Sequence, residues 1–231
     1  MPSFTRRFGI CSYGKRYIEA VTIFATVMET MSDQSRIYLD HAATTPVIPA
    51  ARAAMADAMA QWANPSSPHQ EGRAARFALE DARRRIAAAL DWDGEVILTS
   101  GASEAIALGL RGTAAVASAV EHDAVLAVAG PNHLPVRADG QVDVGAISGK
   151  ARFAVQSVNN ETGVIQPMAE FTAAVRQVDG IFFADCSQSA GKLPLPDADM
   201  IAVSAHKLGG PPGMGALLVR NLGLLSPTGG Q

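Results

Sequence analysis

Residues 200–207 read Met-Ile-Ala-Val-Ser-Ala-His-Lys, an apolar run that ends in polar side chains and a lysine. Such a run is typical of a buried strand in an α/β sheet, and ligands of these sheets bind at the carboxyl ends of the strands. A partly desolvated Lys207 at that position could attack a carbonyl carbon. Taken alone, the tetrapeptide 204–207 is more typical of a surface loop, where a lysine is a solvated charge.

Outward from this stretch, apolar runs alternate with helical patterns along most of the chain. Predicted strands are 95–99, 114–120, 134–136, 152–158, 181–184 and 199–204. Predicted helices are 48–61, 69–90, 105–110 and 168–177. Residues 209–215 are predicted to form a loop rich in glycine and proline. The alternation predicts an α/β fold with a mostly parallel sheet and helices on both of its faces.

Composition excludes several classes of protein. The chain has 231 residues, 48% of them hydrophobic, which is enough for a large core in about one to two domains. A net charge of -3 without a long basic run gives no electrostatic support for binding nucleic acid or a membrane surface. The two cysteines, Cys11 and Cys186, lie far apart and predict neither a disulfide framework nor a metal site. We therefore expect a cytoplasmic protein.

The first 31 residues differ from the rest of the chain. They contain four basic residues before the first acid, followed by a short apolar run at 20–27. No clear cleavage site follows, and Met31 begins a stretch that resembles an ordinary protein start. We expect residues 1–31 to be an N-terminal extension, either untranslated or disordered, and residues 32–231 to form one domain.

Polar side chains follow nearly every predicted strand. Ala102 and Ser103 begin a helix after Gly101, where free N–H groups can bind an anion, although Ser103 could equally be a plain helix cap. His122 and Asn160 follow two further strands, where a structural histidine and a turn-making asparagine are the ordinary alternatives. The carboxyl ends of parallel strands lie at one edge of a sheet, so these side chains are predicted to lie close together.

Asp185 follows a compact apolar strand, and because an isolated buried charge is costly, Asp185 is predicted to need a cationic partner. Together with an anion site, a flat ring, amides and an amine, it completes the set of groups that would hold an aromatic, phosphorylated aldehyde. Pyridoxal phosphate is such a molecule: it needs a lysine for its aldehyde and an acid that keeps its ring nitrogen protonated. Lys207 and Asp185 supply these two groups.

These motifs resemble those of the cysteine desulfurases, a branch of the class V aminotransferase superfamily. The matching segments, in chain order, are 38–46, 64–67, 99–104, 121–122, 158–163, 185–189 and 204–207. The resemblance implies the large domain of a fold-type I transferase that depends on pyridoxal 5'-phosphate. It also implies a homodimer that removes sulfur from L-cysteine, leaves alanine, and passes a persulfide to an acceptor or scaffold protein for iron-sulfur cluster assembly or thiolation.

The resemblance also implies a role for each matching residue. Lys207 would bind the cofactor aldehyde covalently, Asp185 would pair with the ring nitrogen, and His122 would stack on the ring and move protons. Gln188 would donate a hydrogen bond to the phenolic oxygen, and Asn160 would lie near the cofactor and the substrate carboxylate. Four residues would hold the phosphate: Ala102, Ser103, Ser204 and His206.

In this family the sulfur-accepting cysteine lies on a mobile loop of a C-terminal small domain, which we expect to be absent from residues 1–231. Cys186 is no replacement, because it lies beside Asp185 rather than on such a loop. Other functions share the same cofactor site and stay open: a selenocysteine lyase, a class V aminotransferase, or a truncated protein that binds the cofactor without catalysis.

Overall fold

The structure is a computed structural model and describes residues 37–226. The chain divides into two compact units, residues 1–39 and 40–231, and the fold below is that of the second unit. The predicted extension at 1–31 lies outside the described residues. No helix within 37–226 has both the length and the apolar character that crossing a membrane requires.

Seven strands of the described region form one sheet. They are β1 (Glu95–Thr99), β2 (Val116–Ser118), β3 (His133–Leu134), β4 (Arg152–Gln156), β5 (Ile181–Asp185), β6 (Met200–Ser204) and β7 (Gly215–Val219). Their spatial order is β1-β7-β6-β5-β4-β2-β3. The pairs from β6 to β3 are parallel, while β7 is antiparallel to both of its neighbours, β6 and β1. Six strands therefore run in one direction, and the prediction of a mostly parallel sheet is confirmed.

Strand β7 was not predicted, because residues 209–215 were predicted to form a loop and no strand was predicted after them. All five residues of β7 are buried, and the strand pairs residue by residue with β6 from Met200↔Val219 to Ser204↔Gly215. A short apolar run such as Gly-Ala-Leu-Leu-Val has no period that separates a buried strand from other buried chain. Its antiparallel insertion between β6 and β1 depends on contacts that are distant in sequence.

Within residues 37–226, five helices cover the sheet or extend from it. They are α1 (Pro49–Met59), α2 (Gln70–Ala89), α3 (Ala102–Leu110), α4 (Asp123–Leu126) and α5 (Met168–Gln177). Short 3-10 turns lie at Val144–Ala146, Ala205–Lys207 and Leu222–Leu224. The predicted bounds of α5 are confirmed, while α3 begins three residues before its predicted start at 105.

Helices lie on both faces of the sheet, because successive strand residues point to opposite sides. Phe182 packs with Phe171 and Val175 of α5 on one face, where residues of α2 also pack. Phe183, the next residue of β5, packs on the other face with Ile106 of α3 and Val125 of α4. Helix α1 has no buried residue. The core therefore consists of two apolar layers separated by the sheet.

Gly109 allows α3 to approach the sheet closely. A Cβ atom at this position would lie 2.4 Å from Cε2 of Phe183, closer than two carbon atoms can pack. The Gly109 carbonyl also accepts a hydrogen bond from the guanidinium of Arg152 on β4, which holds this end of the helix against the sheet. The glycine is required by this close approach, because its helix position alone would favour alanine.

We expect Gly109→Ala to lower the free energy of unfolding by about 1–3 kcal/mol, the usual cost of overpacking a core. Urea unfolding monitored by circular dichroism would measure it. Combining Gly109→Ala with Phe183→Leu, which removes the ring that the new methyl group meets, should cost less than the sum of the two single changes. Strict additivity would show that the Phe183 contact does not set the size limit.

Candidate active site

One cavity of about 460 Å³ lies at the edge of the sheet where the six parallel-running strands end. All nine side chains that the sequence analysis proposed for a cofactor site line this cavity: Ala102, Ser103, His122, Asn160, Asp185, Gln188, Ser204, His206 and Lys207. They come from the ends of β1, β2, β4, β5 and β6 and from the loops that follow. The topology therefore joins groups that are more than 100 residues apart in the chain.

Lys207 ends the 3-10 turn that follows β6 directly. Its Nζ atom donates a hydrogen bond to the carbonyl oxygen of Ala42. Partial burial lowers the pKa of Lys207, because desolvation disfavours the charged amine, while the negative charge of Asp185 opposes this shift. The neutral amine, which is the nucleophilic form, is thus more accessible here than on an open surface.

The loop at 40–48 holds the segment that carries the lysine. The Thr45 N–H donates to the carbonyl of His206 at 2.7 Å, and its Oγ1 donates to the carbonyl of Lys207 at 3.1 Å. Three residues further on, the Ile48 N–H donates to the carbonyl of Gly209 at 3.0 Å. The loop therefore pairs with the backbone on both sides of the lysine. Ala43 and Thr44 of this loop line the cavity.

Asp185, the last residue of β5, is 7% exposed. Its Oδ1 accepts a hydrogen bond from the Ser187 N–H at 2.9 Å and another from the Ser187 hydroxyl at 2.6 Å. Among residues 37–226 no salt bridge to Asp185 is formed, so these residues do not supply the predicted cationic partner, and Ser187 donates the hydrogen bonds instead. Since Ser187 occupies Oδ1, the carboxylate keeps acceptor capacity for a further donor in the cavity.

The N-terminus of α3 forms an anion-binding end of the cavity. Its N-cap, Gly101, has φ 154° and ψ 179°, a conformation open almost only to glycine, and it gives no side-chain cap. The first N–H groups of a helix have no carbonyl partner within the helix, and here Ala102, Ser103 and Glu104 all line the cavity. A Cβ atom on Gly215 would lie 2.6 Å from Cα of Gly101, so β7 approaches this turn only because it begins with glycine.

Ser204 and His206 line the same cavity as this anion-binding end. The Ser204 hydroxyl and Nδ1 of His206 are 3.0 Å apart and form a hydrogen bond. Burial and the charge of Lys207 both lower the pKa of His206. A bound anion would be met both by helix N–H groups and by hydroxyl and imidazole donors.

His122 caps the short helix α4 through its ring. Nδ1 accepts a hydrogen bond from the Ala124 N–H at 3.0 Å, so the neutral ring carries its proton on Nε2. Two amides of the cavity are already engaged: Asn160 Nδ2 donates to Glu161 Oε1 at 2.7 Å, and Gln188 Nε2 donates to the Ala42 carbonyl at 2.9 Å. The Ala42 carbonyl therefore accepts from Gln188 as well as from Lys207.

Sequence reasoning missed several residues of the site. Gln156 lines the cavity, but the predicted strand 152–158 placed it inside a strand; the observed strand ends at Gln156 itself. Ser187 was noted only as part of a motif, although its position two residues after Asp185 is typical of a hydroxyl that bonds a preceding carboxylate. The role of the Ala42 carbonyl has no sequence signal, because every residue has a carbonyl.

The donor set matches the groups of pyridoxal phosphate. A helix N-terminus with two further donors matches a phosphate, a buried acid with spare acceptor capacity matches a protonated ring nitrogen, and a lysine of lowered pKa matches an aldehyde. Gly101 and Gly215 keep the anion-binding end free of side chains. The residues present therefore fit this cofactor.

Comparisons with known proteins show the family to which this chain belongs. The aminotransferase class-V family matches residues 37–230. A cysteine desulfurase of Cereibacter sphaeroides is 36% identical over 214 residues, which are 80% of this chain and 55% of that protein. An IscS-like cysteine desulfurase of Mycobacterium tuberculosis is 38% identical over 216 residues, covering 79% of this chain and 55% of that protein. The chain spans about half the length of the curated relatives it matches.

Solved structures show the same fold. The structure described as SspA in complex with cysteine has a TM-score of 0.76 and 30% identity, and the match covers 83% of this chain and 64% of that one. A NifS-like protein from Rickettsia africae has a TM-score of 0.72 and 29% identity, covering 79% and 57% respectively. The resemblance to the cysteine desulfurases and the predicted fold-type I architecture are thereby confirmed. The chain belongs to the class-V aminotransferase family, whose members use pyridoxal phosphate.

Proposed function

We propose that this chain binds pyridoxal 5'-phosphate in the 460 Å³ cavity and supplies the cofactor site of a cysteine desulfurase. The observation that carries the proposal is that Lys207, Asp185 and the N-terminus of α3 open into one cavity. These three features are far apart in sequence and have no shared structural purpose that would bring them together. Their chemistry matches the aldehyde, the ring nitrogen and the phosphate of this cofactor.

Each part of the cofactor has residues that would hold it. Ala102, Ser103, Ser204 and His206 would bind the phosphate. Asp185 would accept a charge-assisted hydrogen bond from the protonated ring nitrogen. Gln188 would donate to the phenolic oxygen in place of the Ala42 carbonyl. When bound, the cofactor supplies an electron sink for negative charge at the substrate α-carbon.

The residues of the chain would contribute binding, orientation and proton transfer. His122 would stack on the ring and could give or take a proton at Nε2, since Nδ1 is occupied by the Ala124 N–H. Lys207 would attack the aldehyde with its Nζ, and its lowered pKa favours the neutral amine that this requires. Asn160 would leave Glu161 and donate to the carboxylate of the substrate. The loop at 40–48 would keep the lysine segment in place.

L-cysteine is the substrate that the relatives support, and a protein 30% identical to this chain is described in complex with cysteine. In the proposed reaction, L-cysteine and a thiol give L-alanine and a persulfide on that thiol. Cys186 does not provide this thiol. It is fully buried, and burial raises its pKa to about 12, so the reactive thiolate is not formed. Cys186 is the only cysteine in residues 37–226.

A class V aminotransferase is a second candidate function. It needs no sulfur acceptor, and residues 37–226 contain no accessible thiol. Product analysis separates the alternatives. With L-cysteine and dithiothreitol, a desulfurase releases alanine and sulfide, whereas an aminotransferase converts an amino acid to its keto acid. Faster turnover of selenocysteine would indicate a selenocysteine lyase, and cofactor binding without turnover would indicate a non-catalytic protein.

The resemblance also supports an assembly and a location. We propose a homodimer in the cytoplasm that passes sulfur to an acceptor or scaffold protein. Light scattering after size-exclusion chromatography would measure the mass of the assembly against 24.1 kDa for one chain. A persistently monomeric cofactor-bound protein would contradict the proposed dimer.

We expect Lys207→Ala to abolish covalent attachment of the cofactor. After incubation with pyridoxal phosphate and reduction with borohydride, mass spectrometry should find the added mass on the peptide that contains Lys207 in the wild type and not in the variant. Lys192→Ala is the matched control, because Lys192 is exposed and close enough to influence Lys207 electrostatically. Attachment to another lysine in wild-type protein would refute the assignment.

We expect Asp185→Asn to weaken cofactor binding about 10- to 100-fold, since a hydrogen bond between charged groups contributes about 1.5–3 kcal/mol. Asparagine keeps the shape and can still accept from Ser187, so the change removes mainly the charge. Titration of pyridoxal phosphate followed by absorbance would measure the dissociation constant. Asp57→Asn on the exposed surface of α1 should bind like the wild type; an equally unaffected Asp185→Asn would argue against pairing with the ring nitrogen.

A further inference from the structure

Glu121 is a buried acid behind the wall of the cavity, and no step of the proposed function uses it. The residue is 6% exposed. Its Oε1 accepts hydrogen bonds from the Ser118 hydroxyl and from the Gln156 N–H, the latter at 3.0 Å. Its Oε2 has no hydrogen-bond partner among the described residues. A carboxyl group is rarely buried in this way without a specific role.

The side chain of Glu121 takes the place of a backbone acceptor at the end of the β2–β4 pairing. The β2–β4 ladder ends at the pair Ala117↔Ala154, because β2 stops at Ser118 while β4 continues to Gln156. Beyond that point the Gln156 N–H would have no strand partner. Oε1 of Glu121 supplies the acceptor instead. The segment that follows β2 therefore remains hydrogen-bonded to the end of β4.

A second pair of hydrogen bonds holds the same segment. The carbonyl of Val120 accepts from Nε2 of Gln156 and from Nδ2 of Asn159, the latter at 3.0 Å. The two residues that precede His122 are therefore both attached to the end of β4, one through its backbone carbonyl and one through its side chain. His122 follows at once, and its Nδ1 meets the Ala124 N–H. The position of the ring depends on these contacts.

The surroundings of Glu121 favour its uncharged form. Ser118 and Gln156 give it two hydrogen bonds but no cation, and the carboxylate of Asp185 is the charged group that acts on it. Burial is the main cause that raises the pKa of Glu121, the hydrogen bonds from Ser118 and Gln156 offset it in part, and the charge of Asp185 adds to it, so that the pKa is raised to about 8. An ionised Glu121 would place a second negative charge near Asp185. In the proposed function, Asp185 is the residue that pairs with the ring nitrogen.

We propose that Glu121 is a positioning residue that acts as a neutral acid and holds His122 at the wall of the cavity. The importance of His122 rests on the proposed function, but the state of Glu121 and its effect on the ring do not. Glu121→Gln keeps the shape and the uncharged acceptor. Glu121→Ala removes the acceptor and leaves two buried donors unpaired. Glu95→Gln, at an exposed glutamate of β1, is the matched control.

The first test is the pH dependence of unfolding in cofactor-free protein. Between the ordinary value of 4.5 and about 8, the unfolded chain releases the Glu121 proton while the folded chain keeps it. The folding equilibrium constant of the wild type should therefore fall relative to Glu121→Gln by about tenfold per pH unit across this window. Glu95→Gln should follow the wild type. Parallel curves for the wild type and Glu121→Gln would overturn the proposal, and this comparison holds even if Glu121→Ala does not fold.

The second test measures the tautomer and the environment of the His122 ring by NMR. In protein labelled with ¹⁵N-histidine, the shifts of Nδ1 and Nε2 should show the Nε2–H tautomer in the wild type and Glu121→Gln, and a changed ring environment in Glu121→Ala. Unchanged His122 shifts in a folded Glu121→Ala would overturn the proposal. Affinity for pyridoxal phosphate should fall about tenfold in Glu121→Ala and recover in Glu121→Gln. If the wild type binds no pyridoxal phosphate, the proposed function fails, while the two cofactor-free readouts still decide the role of Glu121.

Discussion

Strand β6 is the element on which the arrangement of this domain depends. All five of its residues are buried, and it pairs with β5 on one side and β7 on the other. Since its backbone hydrogen bonds are satisfied in both directions, its position and register are strongly determined. The chain leaves β6 through a single 3-10 turn, so the position of Lys207 is determined almost as closely as the strand. A reactive side chain is thus held by a rigid element.

The turn after β6 is also held from outside the sheet. Residues 40–48 donate four hydrogen bonds to the backbone of residues 206–209, and the Ala42 carbonyl accepts from both Lys207 and Gln188. Because the Ala42 carbonyl contacts the Lys207 amine directly, the loop at 40–48 covers part of that amine. Desolvation is the main cause of the lowered pKa of Lys207, so the loop affects the chemistry of the lysine as well as its position.

Charge at the cavity is balanced by a small number of groups. Asp185 provides negative charge at the end of β5, and Lys207 provides a positive charge weakened by burial. Helix α3 adds the positive end of its dipole, because its N-terminal residues also line the cavity. Glu121, buried behind this site, adds no net charge in its neutral form and instead joins the ends of β2 and β4. Cys186 lies next to Asp185 in the chain, yet its raised pKa keeps it inert.

Much of the site could be predicted from sequence, because its side chains follow apolar runs and strand ends of one direction meet at one edge. The nine proposed residues do share one cavity. Their individual roles remain predictions, and so do the extension at 1–31 and the extent of the domain. Gln156 was missed because the pattern of apolar residues in β4 does not show where the neighbouring strand β2 ends. The role of Glu121 was missed for the same reason, since its acceptor is needed only where β2 leaves β4.

The amino-acid sequence by itself determined the α/β class, the direction of most strands and the identity of the chemical groups, since these follow from local periodicity and from the residue that ends each apolar run. Only the tertiary structure decided the antiparallel insertion of β7, the contact of residues 40–48 with the lysine segment, and the burial of Glu121. Each of these depends on backbone groups or on burial. Every residue carries the same backbone donors and acceptors, and burial arises only when distant parts of the chain pack together.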